Sequence, residues 1–285
     1  MRGATVPVMQ PLSVLDFLAE HPRSVLVEVT EARGSTPRDA GAFMLVSPTA
    51  VSGTIGGGQL EYMAIDNARA LLRDNGLPEM DIPLGPEIGQ CCGGRTRLTF
   101  AAMTPALADN LRHRLEGERQ TLPHITMFGA GHVGRALVQA LSPLPFKLIV
   151  VETRAEELRS LPAGTDSRLT ALPEAEVERM PAGSAALILT HDHALDFLIA
   201  RAALARSDLG YVGMIGSATK RATFAHWLKR EGEDDSLISS LTLPIGGNVV
   251  RDKRPEVIAA LVAAELLTVY ATRQAMRSER PVSHP

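Results

Sequence analysis

Hydrophobic and polar positions follow two different rhythms along this chain. In the first half, short β-branched and aliphatic runs are separated by turn-forming residues. Ser24 to Thr30 (SVLVEVT) reads as a strand, and Ala42 to Val46 and Val51 to Ile55 as a pair about Ser47-Pro48-Thr49. Arg95 to Ala101 (RTRLTFA) alternates polar and apolar residues, as a half-buried strand does. Helical spacing appears at Leu12 to Glu20 and at Gln59 to Arg73, where Leu60, Met63, Ala64, Ala68, Leu71 and Leu72 share a face. Pro105 to Glu116 reads as a polar-faced helix and Leu84 to Gly94 as a Gly- and Pro-rich loop. In the second half, strand and helix alternate. Strands are expected at His124–Phe128, Phe146–Val151, Ala185–Thr190 and Gly210–Ile215. Helices are expected at Gly131–Leu141, Ala155–Leu161, Ala194–Ala205, Ala218–Arg230 and Pro255–Tyr270, the last with its proline near the N-terminus. Such alternation implies a parallel sheet covered on both faces. The polar stretch Gly117 to Pro123 reads as a linker. The expected fold class is α/β: a smaller N-terminal α+β domain over residues 1–117 and a C-terminal Rossmann-like, doubly wound parallel sheet over 118–285.

Composition narrows the functions. Of 285 residues, 45% are hydrophobic and 21% charged, which supplies full cores and excludes a mainly disordered chain. A net charge of -3 and an aromatic content of 4% argue against a nucleic-acid binder, which needs a basic surface and stacking side chains. No run of about 18 apolar residues occurs, so no membrane span is expected. Met1 to Gln10 has no signal-peptide pattern, so a cytoplasmic protein is expected. The two cysteines exclude a disulfide scaffold.

The chemistry-bearing segments each admit a plain and a functional reading. Gly129-Ala130-Gly131-His132-Val133-Gly134 follows a strand, opens a helix and precedes a second strand ending at Glu152, the full context of a dinucleotide fingerprint. Gly129 suits the tight turn, Gly131 the approach of a phosphate, Gly134 close helix packing, and Glu152 the ribose hydroxyls. The plain reading is Rossmann architecture with an altered pocket, since fold does not fix function. Thr190-His191-Asp192-His193 follows a buried strand, so His191, Asp192 and His193 are expected at the ligand crevice. Polar ligand contacts are favoured there over a metal site. Gly216-Ser217 with Lys220 and Arg221 is either a phosphate turn or a serine-capped helix with solvated cations. Arg33-Gly34-Ser35-Thr36-Pro37-Arg38 combines guanidinium and hydroxyl groups suited to an oxyanion. Gly56, Gly57 and Gly58 lead into a helix carrying Glu61 in its first turn, where turn chemistry and a helix-dipole carboxylate are the plain alternative.

Gly89-Gln90-Cys91-Cys92-Gly93-Gly94 places the two cysteines side by side in a glycine-rich loop. Adjacent Cα atoms lie about 3.8 Å apart, below the span of about 4.4–6.8 Å that disulfides prefer, so a relaxed bridge is not expected. Buried free thiols are the plain reading. A surface loop instead favours thiolates facing a soft metal centre.

Gly34-Ser35-Thr36-Pro37-Arg38, Gly53-Thr54-Ile55-Gly56-Gly57-Gly58-Gln59-Leu60-Glu61, Gln90-Cys91-Cys92-Gly93-Gly94 and the Gly129–Gly134 fingerprint together resemble the XdhC/CoxI family of accessory proteins of xanthine dehydrogenase and related molybdenum hydroxylases. The resemblance runs across nearly the whole chain. It implies a non-catalytic carrier and insertion chaperone, which binds molybdenum cofactor (molybdopterin), supports its sulfuration with a cysteine desulfurase and delivers it to the molybdenum-binding subunit of apo xanthine dehydrogenase. The cofactor's phosphate would meet Gly131 or Gly216-Ser217, and its pterin Asp192, His193 or Glu61. Cys92, and less directly Cys91, would contact molybdenum or its sulfur, with Arg95 favouring the thiolate. Arg33, Ser35, Thr36, Arg38, Gly56–Gly58, Gln90, Gly93, Gly94, His132 and His191 complete the candidate site. A homodimer and a nucleotide in the Rossmann pocket are further expectations. The alternatives are an NAD(P)-binding oxidoreductase and a scaffold that recruits the dehydrogenase without holding cofactor. One segment departs from the family pattern: Pro244-Ile245-Gly246-Gly247-Asn248-Val249-Val250-Arg251-Asp252-Lys253-Arg254-Pro255 keeps the Pro-Ile-Gly start, but its middle diverges.

Overall fold

A computed structural model of the protein describes residues 11–86 and 93–278. The chain divides into two compact units, Met1–Arg119 and Gln120–Pro285.

The first unit is built on an antiparallel sheet of order β3-β2-β1-β5-β4. Its strands are β1 (Val25–Arg33), β2 (Phe43–Val46), β3 (Val51–Gly53), β4 (Glu79–Pro83) and β5 (Arg95–Ala102). Helix α2 (Gly58–Leu71) buries Leu60, Ala64 and Ala68, a single row at i, i+4 and i+8. This row packs on Val25, Val27, Val29, Leu98 and Phe100. Leu60 is fully buried, and burial of such a side chain contributes about 1.5–3 kcal/mol. Leu26 and Leu45 point to the opposite face, into a second cluster with Val14 of α1 (Pro11–Glu20) and Leu111 and Leu115 of α3 (Pro105–Thr121). Helix α3 runs through Thr121, so most of the segment whose composition marks a linker is helical. The β1–β5 register shifts between Val29 and Glu31. Beyond this bulge Ala32 takes over the α2 face, and Glu31 and Arg33 turn to the other side. There they meet Arg97, Arg95, Asp81 and Glu79 in an exposed cross-strand ion ladder: Arg33–Glu31 at 2.7 Å, Arg97–Glu31 and Arg97–Glu79 at 3.1 Å, and Arg95–Asp81 at 2.7 Å.

The second unit is the expected Rossmann-type sheet. All its strands are parallel, in the order β10-β9-β6-β7-β8. They are β6 (His124–Phe128), β7 (Lys147–Glu152), β8 (Ser167–Leu169), β9 (Ala185–Ile188) and β10 (Tyr211–Met214). β9 and β10 are buried at every position, as strands covered on both faces must be. Helices α4 (His132–Leu141) and α8 (Pro255–Ser278) enclose one core, with Leu137, Leu141, Val262 and Leu266. Helices α6 (His193–Leu204) and α7 (Ala218–Arg230) enclose the other, with Phe197, Ala200, Phe224 and Leu228. A short α5 (Ala155–Leu158) follows β7. The Pro255–Arg273 stretch of α8 is long and apolar enough to cross a membrane by length and composition alone, although its apolar residues form no unbroken run. Here Ala259, Val262 and Leu266 of that helix are buried in the unit's core.

Candidate functional site

Topology gathers the motifs of the first unit at one end of its sheet. β3 runs in the direction of β1, while β2 and β5 run opposite to it. The Gly34–Arg38 segment leaves the end of β1, the Thr54–Gly58 segment leaves the end of β3, and Gly93-Gly94 enters β5 at that same end. Contacts join them. A Cβ on Gly94 would lie 2.2 Å from Ser35 O and 2.7 Å from Arg33 O, so only glycine lets these two backbones touch. Gly56 has φ 129°, and a Cβ there would lie 2.5 Å from Pro37 Cγ.

Gln90, Cys91 and Cys92 lie outside the described residues. The stems that flank them are closed by two hydrogen bonds, Leu84 N–H to Gly94 O and Gly93 N–H to Leu84 O, each 2.8 Å.

The side chains at this end divide into those already engaged and those open. Glu61 Oε2 accepts from Thr54 Oγ1 (2.6 Å), Gly57 N–H (3.0 Å) and Ile55 N–H (3.2 Å). The carboxylate expected to meet a pterin is therefore the buckle of its own glycine loop. Arg33 is paired with Glu31. Arg95, expected to favour a thiolate, holds Asp81 through two bonds of 2.7 and 3.0 Å. That hydrogen bond, reinforced by the guanidinium charges of Arg95, Arg97 and Arg33, keeps the Asp81 carboxyl below its ordinary range despite partial desolvation. Arg38 differs: it is exposed, packs beside Gly56, and has no hydrogen-bond or ion-pair partner among the described residues. Helix α2 starts at Gly58 without a side-chain cap. Ser35 is exposed and Thr36 half-buried. The Thr96 hydroxyl, two residues past Gly94, is buried without a hydrogen-bond partner among the described residues.

In the second unit the loops after β6, β7, β9 and β10 crowd the carboxyl edge of the sheet, where ligands of open α/β folds bind. The three fingerprint glycines differ in their surroundings. A Cβ on Gly129 would meet Leu189 O at 2.3 Å, and one on Gly134 would meet Gly129 O at 2.4 Å. A Cβ on Gly131 would meet nothing within 4 Å, and α4 has no side-chain cap, so its N-terminal end is bare. His132 beside it is exposed.

Glu152 is only 3% exposed, and both its oxygens are engaged. Oε2 accepts from Ala130 N–H at 2.9 Å and from Arg154; Oε1 accepts from Thr153 N–H at 2.8 Å and Arg154 N–H at 3.1 Å. Burial pushes its pKa up. The hydrogen bonds from Ala130, Arg154 and Thr153, with the Arg154 charge, outweigh that and hold the carboxyl below its ordinary range. Glu152 braces the glycine loop, and its acceptors are taken by the protein. Arg154 also pairs with Glu157, which binds Arg135 at 2.7 Å.

The other expected contacts are resolved by their neighbours. Asp192 caps α6, accepting from Ala194 N–H at 2.8 Å. His191 and His193 on either side are exposed. No group of three or more His, Cys, Asp or Glu that could hold a metal occurs among the described residues. Ser217 caps α7 through Lys220 N–H, and a Cβ on Gly216 would strike Lys220 Cδ at 2.7 Å. Arg221 is not a solvated cation: it donates to Leu241 O (3.0 Å) and Ile238 O (2.9 Å).

Lys220 belongs to a buried network that residue-by-residue reading missed. Its ammonium pairs with Asp196, which is 0% exposed, and also donates to Ile215 O at 3.0 Å. Asp196 Oδ1 accepts from Thr190 N–H (2.9 Å) and Thr190 Oγ1 (2.7 Å). The pair thereby ties the loop after β9 to the loop after β10. A signal for it exists in the sequence. Asp196 stands in the buried row Asp196, Ile199, Ala200, Ala203, and Lys220 in the row Lys220, Phe224, Leu228, so each helix carries one charge at a core position.

Comparison with known proteins agrees with this arrangement. Residues 17–80 match the family model described as "XdhC and CoxI family", and residues 125–266 match "XdhC Rossmann domain". The chain belongs to the XdhC/CoxI family. Both units of this XdhC/CoxI chain are thus covered in part by family models. It is 28% identical over 272 residues to the uncharacterized protein YqeB of Escherichia coli (strain K12). That match takes in 91% of this chain but 46% of YqeB, so the chain spans about half the length of this relative. A crystal structure described as a xanthine dehydrogenase from Bacillus halodurans superposes with a TM-score of 0.74, over 97% of this chain and 98% of that one. At 18% identity this likeness shows a shared fold.

Proposed function

We propose that this XdhC/CoxI-family protein is a carrier of molybdenum cofactor. It binds molybdopterin, shields it, supports its sulfuration by a cysteine desulfurase and delivers it to apo xanthine dehydrogenase. The observation that carries this reading is the folding together of the three glycine-rich segments of the first unit. Their meeting point offers the guanidinium of Arg38, unpartnered among the described residues, and the start of α2 without a side-chain cap, a donor set that fits a phosphate or an oxo-anion. Cys92 enters the reading from the sequence, as a soft ligand for molybdenum or its transferable sulfur. When bound, the cofactor supplies an oxo-molybdenum centre held by a dithiolene. The protein's residues bind the group, keep water from it and let it go, and no catalytic residue is assigned.

Reading the second unit as an NAD(P)-dependent oxidoreductase fits less well, because the ribose-reading position is Glu152, whose acceptors are filled from within. The bare start of α4 at Gly131 suits a phosphate without an accompanying ribose diol. The protein is proposed to act in the cytoplasm, as a homodimer.

The test is anaerobic purification from cells that make molybdopterin, followed by molybdenum analysis and by pterin fluorescence after acid oxidation. The carrier reading expects both signals, and expects Cys92→Ala and Arg38→Glu to lose them while the protein stays folded. Absence of metal and pterin under conditions that load the client would reject it in favour of a scaffold.

A further inference from the structure

The ion ladder of the first unit is arranged unevenly along the sheet. Its inner row alternates in sign: Glu31 on β1 faces Arg97 on β5, which faces Asp81 on β4. The row nearest the glycine segments does not. There Arg33 faces Arg95, and the β4 residue on the other side of Arg95 is Pro83. Two guanidiniums thus stand opposite one another with no carboxylate in their row. Like charges in direct cross-strand register oppose pairing. Beyond the row the two chains continue as Gly34 and Gly94, so no side chain at those positions covers it.

Glu31 and Asp81 reach these cations from the row behind, and neither exhausts its partner. A guanidinium carries five N–H donors. Arg33 donates to Glu31 from Nη2 at 2.7 Å. Arg95 donates to Asp81 from Nε and Nη2, at 2.7 and 3.0 Å. Nε and Nη1 of Arg33 and Nη1 of Arg95 have no partner among the described residues. Glu31, Arg33, Asp81, Arg95 and Arg97 line a cavity of about 30 Å³, the share of one water molecule and enough to seat an oxygen of a larger group. Three guanidiniums against two carboxylates leave this lining net positive in a chain whose net charge is -3. The side chains of Arg33 and Arg95 are 71% and 55% exposed, so a solute reaches them from water.

We propose that Arg33 and Arg95 form a clamp for a tetrahedral oxyanion of the phosphate-monoester class. Glu31 and Asp81 hold the two forks in place and leave their outer donors free, and an anion seated between them supplies the negative charge that the row lacks. A ladder that served stability alone would alternate in sign to its end, as the inner row does. The cofactor of the carrier reading ends in such a phosphate. The inference rests on that reading for the source of the phosphate, and on the ladder for the site.

The experiment titrates inorganic phosphate into the full chain by isothermal titration calorimetry, at constant ionic strength, with protein from cells unable to make molybdopterin. One phosphate should bind per chain. Arg33→Gln and Arg95→Gln should each weaken it about tenfold or more, the size of one lost charge-assisted hydrogen bond, with unchanged circular dichroism. Arg159→Gln with Arg230→Gln, at two exposed arginines of the second unit, should leave the affinity as it was. Absence of phosphate binding, wild-type affinity in the Arg33 and Arg95 variants, or equal weakening by the second-unit pair overturns the clamp, and none of these touches the carrier reading. Protein loaded with pterin should take up no phosphate, its clamp being filled by the cofactor's own. Loaded protein that binds phosphate as the empty protein does overturns the assignment to the cofactor's phosphate in favour of a free anion. Phosphate binding by a wild type that never carries pterin overturns the carrier reading and supports the clamp.

Discussion

Removing the Lys220 ammonium would test whether the Asp196–Lys220 pair locks the carboxyl edge of the second unit. Lys220→Met leaves Asp196 fully buried with no counter-charge. Breaking a buried pair from one side costs about 3–5 kcal/mol. Thr190 still donates to Asp196 through its N–H and its hydroxyl, which places the expected cost near the low end, about 3 kcal/mol. For a unit of this size about 1 kcal/mol moves the midpoint by about 2–4 °C, so a fall of about 6–12 °C is expected. Asp196→Asn with Lys220→Met removes both charges while the amide oxygen still accepts from Thr190. It should come back to within about 1 kcal/mol of the wild type. Trp227, the chain's one tryptophan, lies 5.7 Å from the Phe197 ring and 5.9 Å from the Phe224 ring, so its fluorescence in urea titrations reports this unit. A loss below about 1 kcal/mol in Lys220→Met, or a double variant as unstable as the single one, would refute the assigned role.

Other substitutions probe the remaining geometry. Gly94→Ala forces a Cβ onto Ser35 O and should destabilise the first unit by about 2 kcal/mol or more, read by circular dichroism melting, with loss of bound pterin. Glu152 has a lowered folded pKa, so its contribution is present above its unfolded value of about 4.3 and fades as pH falls through the folded value. Glu152→Gln should therefore cost stability at pH 7 and flatten the acid limb of the unfolding curve. His124 sits at the start of β6 with a pKa lowered by burial and by the Lys147 charge, and its Nδ1 is buried without a partner among the described residues. Its stabilising contribution is thus present above the unfolded value of about 6.5 and lost as pH falls below it, so His124→Leu should remove the slope in melting temperature between about pH 7 and 5.

Much of the fold was legible because periodicity and burial coincide. Strands that are apolar throughout, such as Ala185–Ile188, and amphipathic helices such as Gly58–Leu71 announce themselves. β4 did not: Glu79-Met80-Asp81-Ile82-Pro83 is an edge strand whose charges pair across strands, and its proline weakens the pattern. β8 has only three residues, all exposed. The glycines of the candidate site were readable because close backbone approach leaves no substitute. The partners of Glu152 were not, since Ala130 lies 22 residues away and is brought to it only by folding, and the buried positions of Asp196 and Lys220 mark each as paired without naming the other.

The bulge in β1 sets which residue the strand can lose. If Thr30 took a ladder position of its own, Glu31 and Arg33 would swing toward Leu60 and Ala64, and Ala32 would land among the ion pairs. Loss of Thr30 itself keeps the register, because Val29 and Glu31 already face the consecutive residues Leu98 and Arg97. A one-residue deletion between Val25 and Val29 would instead reverse the faces of the residues between it and Thr30. A gap in alignments of related chains should therefore fall at Thr30 rather than among the buried valines.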